Sequence, residues 1–148
     1  MILHPIKDKV CACKISLDYL GDKWLLMIVR DLFRFRYTFT DFLHKDTNEA
    51  IATNILSSRL KKLIELKIIN YRLNSKNKKI KEYFLTDKGI ELYNIIFELQ
   101  LWALKSVDFN YSDNTVRWNK ELNEKSRKEI IEIKKKQYKT FRKEKFSF

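Results

Sequence analysis

The sequence predicts an α+β fold in which short helices lead into a helix, a two-stranded hairpin, a long helix and a charged helical extension. Two observations predict the centre of this fold. Apolar residues recur at three- and four-residue spacing from Ile51 to Lys67, which is the period of an amphipathic helix. Strand-forming residues then run from Ile68 to Leu73 and return from Ile80 to Leu85, which is typical of two paired strands. The polar segment Asn74 to Lys79 forms the hairpin tip.

The charge of the chain is concentrated on this helix and hairpin. The 148 residues include 31 basic and 19 acidic ones, for a net charge of +12. Residues 51–81 alone hold nine Lys and Arg against one acid. Such clustering favours a polyanionic partner, either nucleic acid or an acidic membrane surface, over a lysine-rich surface that serves only solubility.

The apolar residues predict no membrane-spanning segment. No apolar run approaches the ~18 residues that a membrane-spanning helix requires. The N-terminus also lacks the charged region and long apolar region of a signal peptide. We therefore expect an intracellular, cytoplasmic protein.

Two helices are predicted at the start of the chain. The first runs from Lys9 to Leu20 and ends at Gly21. The second runs from Lys23 to Phe33, where Asp22 is positioned to cap its first turn. Its wide apolar face predicts that this helix is the most deeply buried one.

A third short helix completes a recognisable pattern. Thr38 begins it, and Asp41 follows three residues later in an arrangement that resembles a capping box. A polar turn from Lys45 to Ala50 then links it to the helix that starts at Ile51. Two helices joined by a turn, the second with a polar outer face, are typical of a helix-turn-helix, and the hairpin that follows makes it winged.

The polar face of the Ile51 helix carries groups that suit contact with DNA. Amides and hydroxyls hydrogen-bond base edges, whereas ammonium and guanidinium groups bind phosphates. The candidate contacts are Thr53, Asn54, Ser57, Ser58, Arg59, Lys61 and Lys62 on the helix, and Lys76, Lys78, Lys79 and Lys81 on the hairpin. We predict a recognition helix in the major groove of double-stranded DNA and a basic wing along the phosphate backbone.

The long helix predicted from Thr86 to about Val107 has apolar residues nearly all the way round. Such a helix must be covered on both sides, and a domain this small covers only one, so we expect a second copy and hence a homodimer. A wholly intramolecular core helix is the alternative. Trp24 and Trp102 are predicted to lie in the core. Residues 1–109 are assigned to a DNA-binding and dimerisation domain.

Residues 110–148 are assigned to a basic C-terminal extension. Asn110 to Asn119 is polar and predicted to be irregular, whereas the highly charged segment Lys120 to Lys145 is predicted to be helical. This composition is compatible with a DNA-contacting arm, a dimer strap or a partly disordered tail.

Three motifs, in the same order and spacing, resemble those of one family. The matching residues are Cys11, Leu17-Asp18 and Gly21-Asp22-Lys23-Trp24, then Ile51, Leu60, Leu63 and Ile68-Ile69, and then Glu82-Tyr83-Phe84-Leu85-Thr86-Asp87-Lys88-Gly89. They resemble the opening, the recognition helix and the wing of the HxlR-type winged helix-turn-helix transcriptional regulators, which are relatives of the MarR-like regulators. The similarity covers about Cys11 to Ser106.

The resemblance implies a homodimer built on the first and last helices of the core, with one recognition helix and one wing per subunit on the DNA. Some relatives sense electrophiles or oxidants through a cysteine at the position of Cys11, which implies an oxidant or small-molecule inducer. Two residues depart from the family pattern. Ala12 replaces a proline, and Lys67 stands where the family has glycine, so the turn out of the recognition helix is expected to differ or to be strained.

Three interpretations of Cys11 and Cys13 remain open. The simplest is a pair of small buried side chains in a dimer helix. The second is redox sensing through a thiolate at Cys11. The third is metal binding with His4 or His44, for which a lone Cys-x-Cys is weak evidence, so no metal or cofactor is predicted. His44 is expected to be a surface or capping residue.

Enzyme motifs are absent from the sequence. There is no Gly-rich phosphate loop, no His-Glu-x-x-His and no Gly-x-Ser-x-Gly. The predicted function is therefore a sequence-specific, homodimeric DNA-binding transcriptional regulator without catalysis. The alternative is a winged-helix module that binds RNA or acts as a protein adaptor, which a monomer in solution would favour.

Overall fold

The computed structural model describes residues 7–148, so the expectations about the N-terminus and His4 lie outside the described residues. In chain order the elements are α1 (Ala12–Leu20), α2 (Lys23–Phe33), α3 (Phe39–Leu43), α4 (Thr53–Glu65), β1 (Ile69–Leu73), β2 (Lys81–Leu85), α5 (Asp87–Ile90), α6 (Tyr93–Ser106), α7 (Asp113–Glu124) and α8 (Arg127–Phe146). They form two compact units, one ending at Gly89 and one covering Ile90–Phe148. The division predicted from the sequence, between a DNA-binding and dimerisation domain (residues 1–109) and a C-terminal extension (residues 110–148), concerns function and stays a prediction.

Helices α2 and α4 form the centre of the first unit. Leu25 and Val29 of α2 and Leu56 and Leu63 of α4 are all fully buried. Helix α2 starts where predicted, because the carboxylate of Asp22 accepts a hydrogen bond from the Trp24 backbone N–H at 2.8 Å. The stripe of leucines therefore fixes α4 to α2 and turns the polar side of α4 outward.

The short helix α3 begins with the predicted capping box. The hydroxyl of Thr38 accepts from the Asp41 N–H at 3.3 Å, and the Asp41 carboxylate accepts from the Thr38 N–H at 3.1 Å. The helix ends at His44, which adopts a left-handed conformation with φ 48°. His44 is thus a capping residue, as expected.

The wing is an antiparallel pair in which Ile69 lies opposite Leu85 and Leu73 lies opposite Lys81. A short segment before α3 pairs with β2, since the Tyr83 N–H donates to the carbonyl of Tyr37 at 2.7 Å. Gly89 follows the wing and lies against the backbone of Ile68. A Cβ at this position would lie 2.2 Å from the carbonyl oxygen of Ile68, so a side chain does not fit there.

The turn between α4 and β1 is strained in the way the sequence predicted. Lys67 has a φ of 60°, in the left-handed region of backbone conformation. Glycine adopts this region readily, whereas a residue with a Cβ is sterically strained there. The carbonyl of Lys67 accepts a hydrogen bond from the Thr86 hydroxyl at 2.6 Å, so the end of the wing holds this conformation in place.

Replacing Lys67 by glycine is therefore expected to raise the free energy of unfolding by about 0.5–1 kcal/mol, because the native backbone angle would no longer cost steric energy. Urea denaturation measures the change. Lys61→Gly is the matched control: the same substitution inside α4 should lower stability by about 1 kcal/mol. A Lys67→Gly variant with a lower free energy of unfolding would show that the backbone at Lys67 is not strained.

The second unit has an apolar core of its own. Its buried side chains are Ile90 of α5, Tyr93, Ile96 and Phe97 of α6, Trp118 of α7, and Ile130, Tyr138 and Phe146 of α8. The rings of Phe97 and Trp118 meet edge to face with centroids 5.2 Å apart. Burial raises the pKa of Tyr93 to about 12. Helices α7 and α8 thus pack as part of a core rather than as a loose tail.

Three sequence predictions in this unit are wrong. The long helix from Thr86 is two helices, separated at Glu91 and Leu92. The segment Asn110 to Asn119 is not irregular, because α7 begins at Asp113 and is capped by the Ser112 hydroxyl, which accepts from the Thr115 N–H at 3.2 Å. The helix predicted from Lys120 to Lys145 is interrupted between α7 and α8.

Trp102 is also not a core residue. Its side chain is 63% exposed, and Leu99 and Ile95 on the same face of α6 are 52% and 38% exposed. These residues have three- and four-residue spacing, so they form one apolar stripe on the chain surface. No helix in the described part of the chain is long and apolar enough to cross a membrane.

Candidate nucleic-acid interface

Helix α4 presents a polar face to solvent. Five of the predicted helix contacts are exposed, namely Thr53, Asn54, Ser57, Ser58 and Lys61. No side chain caps the first turn of α4, whose N-cap residue is Ala52. The backbone N–H groups of that turn therefore add hydrogen-bond donors to the same end of the helix, where an anion is favoured.

Two further candidates on α4 are turned toward α2. The Arg59 guanidinium donates to the Asp22 carboxylate, with Nε at 2.9 Å and Nη2 at 2.8 Å from Oδ2. This hydrogen bond holds the pKa of Asp22 below its usual range, and the charge of the half-buried Lys62 adds to the effect. Arg59 thus ties α4 to the start of α2, and its contact with DNA stays a prediction.

The wing tip is organised by two asparagines. Oδ1 of Asn74 accepts from the backbone N–H groups of Lys76 at 2.9 Å and Asn77 at 3.0 Å. Oδ1 of Asn77 accepts from the N–H of Lys79 at 3.1 Å. These turns satisfy the backbone locally and leave the lysine side chains outside.

The lysines at the tip carry unpaired charge. Lys76, Lys78 and Lys79 are exposed, and none of them forms an ion pair with an acid within residues 7–148. By contrast, Arg72 on β1 lies 3.1 Å from the buried carboxylate of Glu82 on β2. Lys81, also exposed, has its Nζ 4.6 Å from the centroid of the Tyr71 ring. The charge of Arg72 is therefore neutralised within the strands, whereas the lysine charges at the tip have no acidic partner in the described part of the chain.

An ionic network beside the helix-turn-helix was missed by the sequence analysis. Asp31 is only 2% exposed, although it is a carboxylate. Its Oδ1 accepts from Arg30 at 2.9 Å, and its Oδ2 lies 2.6 Å from Nε2 of His44. Arg30 also donates to both oxygens of Glu49, at 2.5 and 3.2 Å. The network joins α2 to both ends of the turn that precedes α4.

The charges of this network stabilise one another. Although burial raises the pKa of Glu49, the hydrogen bond from Arg30 and the positive charges of Arg30 and its neighbours together outweigh it and leave the pKa below its ordinary value. Burial likewise lowers the pKa of Arg30, but Glu49 and Asp31 raise it overall. The signal in the sequence was the pair Arg30-Asp31 inside the otherwise apolar run of α2.

Both cysteines are exposed in the single chain. Cys11 is the N-cap residue of α1, and the nearby backbone N–H groups of Lys14 and Cys13 lower the pKa of its thiol. Among the described residues, no group of three or more His, Cys, Asp or Glu side chains could hold a metal ion.

Comparison with known proteins identifies the family. The HxlR-like helix-turn-helix family matches residues 19–111, and the chain belongs to this family. An HTH-type transcriptional regulator of Mycobacterium tuberculosis, MT3179, is 32% identical over 88 residues, which are 60% of this chain and 54% of that protein. The chain thus spans about half the length of the curated relatives it matches. The family and these relatives are transcription regulators, not enzymes, as predicted.

Solved structures agree on the fold. PA1607, described as a candidate transcription factor, is 29% identical with a TM-score of 0.62 over 72% of each chain. The reduced form of the transcriptional regulator YodB from B. subtilis has a TM-score of 0.53 at 24% identity, over 68% of this chain and 97% of that one. The oxidized form of the redox regulator HypR has a TM-score of 0.57 at 23% identity, over 67% and 100%. The predicted winged helix-turn-helix fold is thereby confirmed.

Proposed function

We propose that this chain binds duplex DNA as a homodimer and regulates transcription in a sequence-specific manner. In this proposal, α4 enters the major groove and the wing lies on the flanking backbone or minor groove. The observation that carries the proposal is the combination of an exposed polar face on α4 with an unpaired lysine tip on the wing. Hydroxyl and amide groups on α4 suit base edges, and the lysines suit phosphates.

The homodimer is supported by the exposed apolar stripe of α6. Ile95, Leu99 and Trp102 expose between 38% and 63% of their side chains in the single chain. Leu17 of α1 is also 62% exposed. The large apolar side chains Ile95, Leu99 and Trp102, gathered on one face of α6, mark an interaction surface, and a second copy of the chain would cover them.

A fluorescence-anisotropy titration tests the proposal. The purified protein is titrated against random duplex DNA and against RNA of matched sequence over a salt series, and its mass in solution is measured in parallel. We expect a dimer that prefers the duplex and whose affinity falls steeply with salt. A monomer, or a protein without duplex preference, would instead support RNA or an acidic protein as the partner.

A second element of the proposal is thiol-based control through Cys11. The exposed position of this thiol and its lowered pKa favour reaction with an oxidant or electrophile. The fold is shared with HypR, which is described as a redox regulator. An oxidant or reactive small molecule is accordingly the proposed inducer.

Treatment with a mild oxidant, followed by mass spectrometry and a DNA-binding assay, tests this control. Cys11 should react before Cys13, and Cys11→Ser should abolish the effect of oxidant on DNA binding. Cys13→Ser is the matched control, because its thiol is also exposed. Equal sensitivity of both variants would refute a specific role for Cys11.

A further inference from the structure

One side of helix α8, its inner side, packs against the rest of the second unit. The apolar residues Ile130 and Tyr138 on this side are buried. Lys134 and Lys135 reach acids of the same unit: Nζ of Lys134 lies 3.1 Å from Glu121, and Nζ of Lys135 lies 2.9 Å from Glu91. The charges of these two lysines are therefore already compensated within the unit.

The outer side of α8 carries a row of lysines, here named the lysine stripe: Lys128, Lys136, Lys139 and Lys143. All four are exposed, and within the described chain none forms an ion pair with an acid. At 3.6 residues per turn they fall within an arc of about 80° and extend over about 22 Å of the helix. Glu132 is the acid on the same face.

The stripe lacks the features of a surface for another protein. Protein interfaces depend on buried aromatic, apolar or arginine side chains at their centre, and lysine is depleted there. The stripe has only ammonium groups and one carboxylate. A row of flexible cations instead fits a regular row of anions, which the phosphates of a nucleic acid provide.

The stripe also fits a membrane surface poorly. A helix that lies on a membrane inserts an apolar face beside its basic face. The apolar face of α8 is already buried in the core of the second unit, through residues such as Ile130 and Tyr138. Only the charged face is open, so hydrophobic insertion cannot assist binding.

We propose that the lysine stripe is a second contact for the phosphate backbone of duplex DNA, in addition to α4 and the wing. This inference rests on the proposed function, since it presumes that the chain binds duplex DNA. Phosphate contacts position a protein without reading sequence, so the stripe would add affinity for every duplex. The residues concerned lie beyond the part of the chain that the family matches, which ends at residue 111.

A triple variant, Lys136→Gln with Lys139→Gln and Lys143→Gln, tests the inference in the full-length protein. Glutamine keeps the helix propensity and removes the charge. We expect the slope of log affinity against log salt to flatten by about 0.9 for each lost phosphate contact. The matched control replaces Lys105, Lys120 and Lys125 by glutamine, since these exposed lysines lie outside the stripe and the net charge changes equally. The corresponding Lys→Arg triple should keep the wild-type slope.

The outcomes separate this inference from the proposed function. A stripe variant with the same slope as the control variant overturns the inference. If the stripe variant instead loses binding to phosphatidylserine vesicles while its duplex binding is unchanged, the partner of the lysine stripe is a lipid surface and not DNA, and the inference is overturned. If wing variants flatten the slope of log affinity against log salt and the stripe variant does not, the proposed DNA binding is supported and the lysine stripe is excluded as a second DNA contact. A wild-type protein without duplex binding overturns both.

Discussion

Replacing Asp31 by asparagine is expected to lower the free energy of unfolding by about 3–5 kcal/mol. Asparagine keeps the shape of the side chain but removes the charge that two arginines and a histidine face. Arg30 lies 2.9 Å from this carboxylate, Arg36 lies 3.5 Å from it, and His44 lies 2.6 Å from it. Because Asp31, Arg30 and His44 are largely buried, water cannot fully replace the lost charge there, although Arg36, which is 38% exposed, can turn to solvent.

Urea denaturation with a matched control measures this effect. Asp18→Asn is the same substitution at an exposed ion pair, where Asp18 lies 2.8 Å from Lys14 and its side chain is 35% exposed. That change should cost less than about 0.5–1 kcal/mol, because exposed pairs contribute little. Equal losses in the two variants would mean that the Asp31 network does not stabilise the fold beyond an ordinary surface pair.

Replacing Lys76, Lys78 and Lys79 together by alanine is expected to weaken binding to all duplex sequences alike. Each lost phosphate contact should flatten the slope of log affinity against log salt by about 0.9, so three lost contacts would give about 2.7. The reason is that the tip lysines have no acidic partner within the described residues, so their full charge is available to phosphates. Salt-series anisotropy measures the slope.

Two comparisons sharpen this prediction. The triple variant at Lys105, Lys120 and Lys125 controls for net charge, since those lysines are also exposed. Asn54→Ala should instead change which sequence is preferred, because an asparagine amide pairs with adenine edges. An unchanged slope in the wing variant would exclude the tip as a phosphate contact, and an Asn54→Ala variant that loses only overall affinity would exclude Asn54 from base readout.

Local patterns were sufficient to predict much of the first unit. The bounds of α2 and the capping box at Thr38 follow from side chains within four residues of each other, so the sequence predicts them directly. The strained turn at Lys67 followed from the glycine of the family pattern. The exposed face of α4 followed from the spacing of its leucines.

The missed features depend on contacts between residues far apart in the sequence. Asn110, Ser112 and Asn114 favour a loop before Trp118, but Ser112 is the N-cap of α7, and Trp118 of this helix packs against the distant Phe97. The stripe that contains Trp102 is apolar, but its exposure in a single chain depends on which side the unit covers. Likewise, nothing local to Asp31 indicates that Glu49 and His44 lie nearby.

The way the wing tip is built has a consequence for how this surface can change during evolution. Asn74 and Asn77 hold the turn through bonds to backbone groups no more than three residues away. The side chains of Lys76, Lys78 and Lys79 have no part in those bonds, and they are exposed. Substitutions at these three positions can therefore accumulate without a penalty in folding. Under the proposed function, selection on DNA affinity would act on the tip separately from selection on stability, which acts on sites such as Asp31.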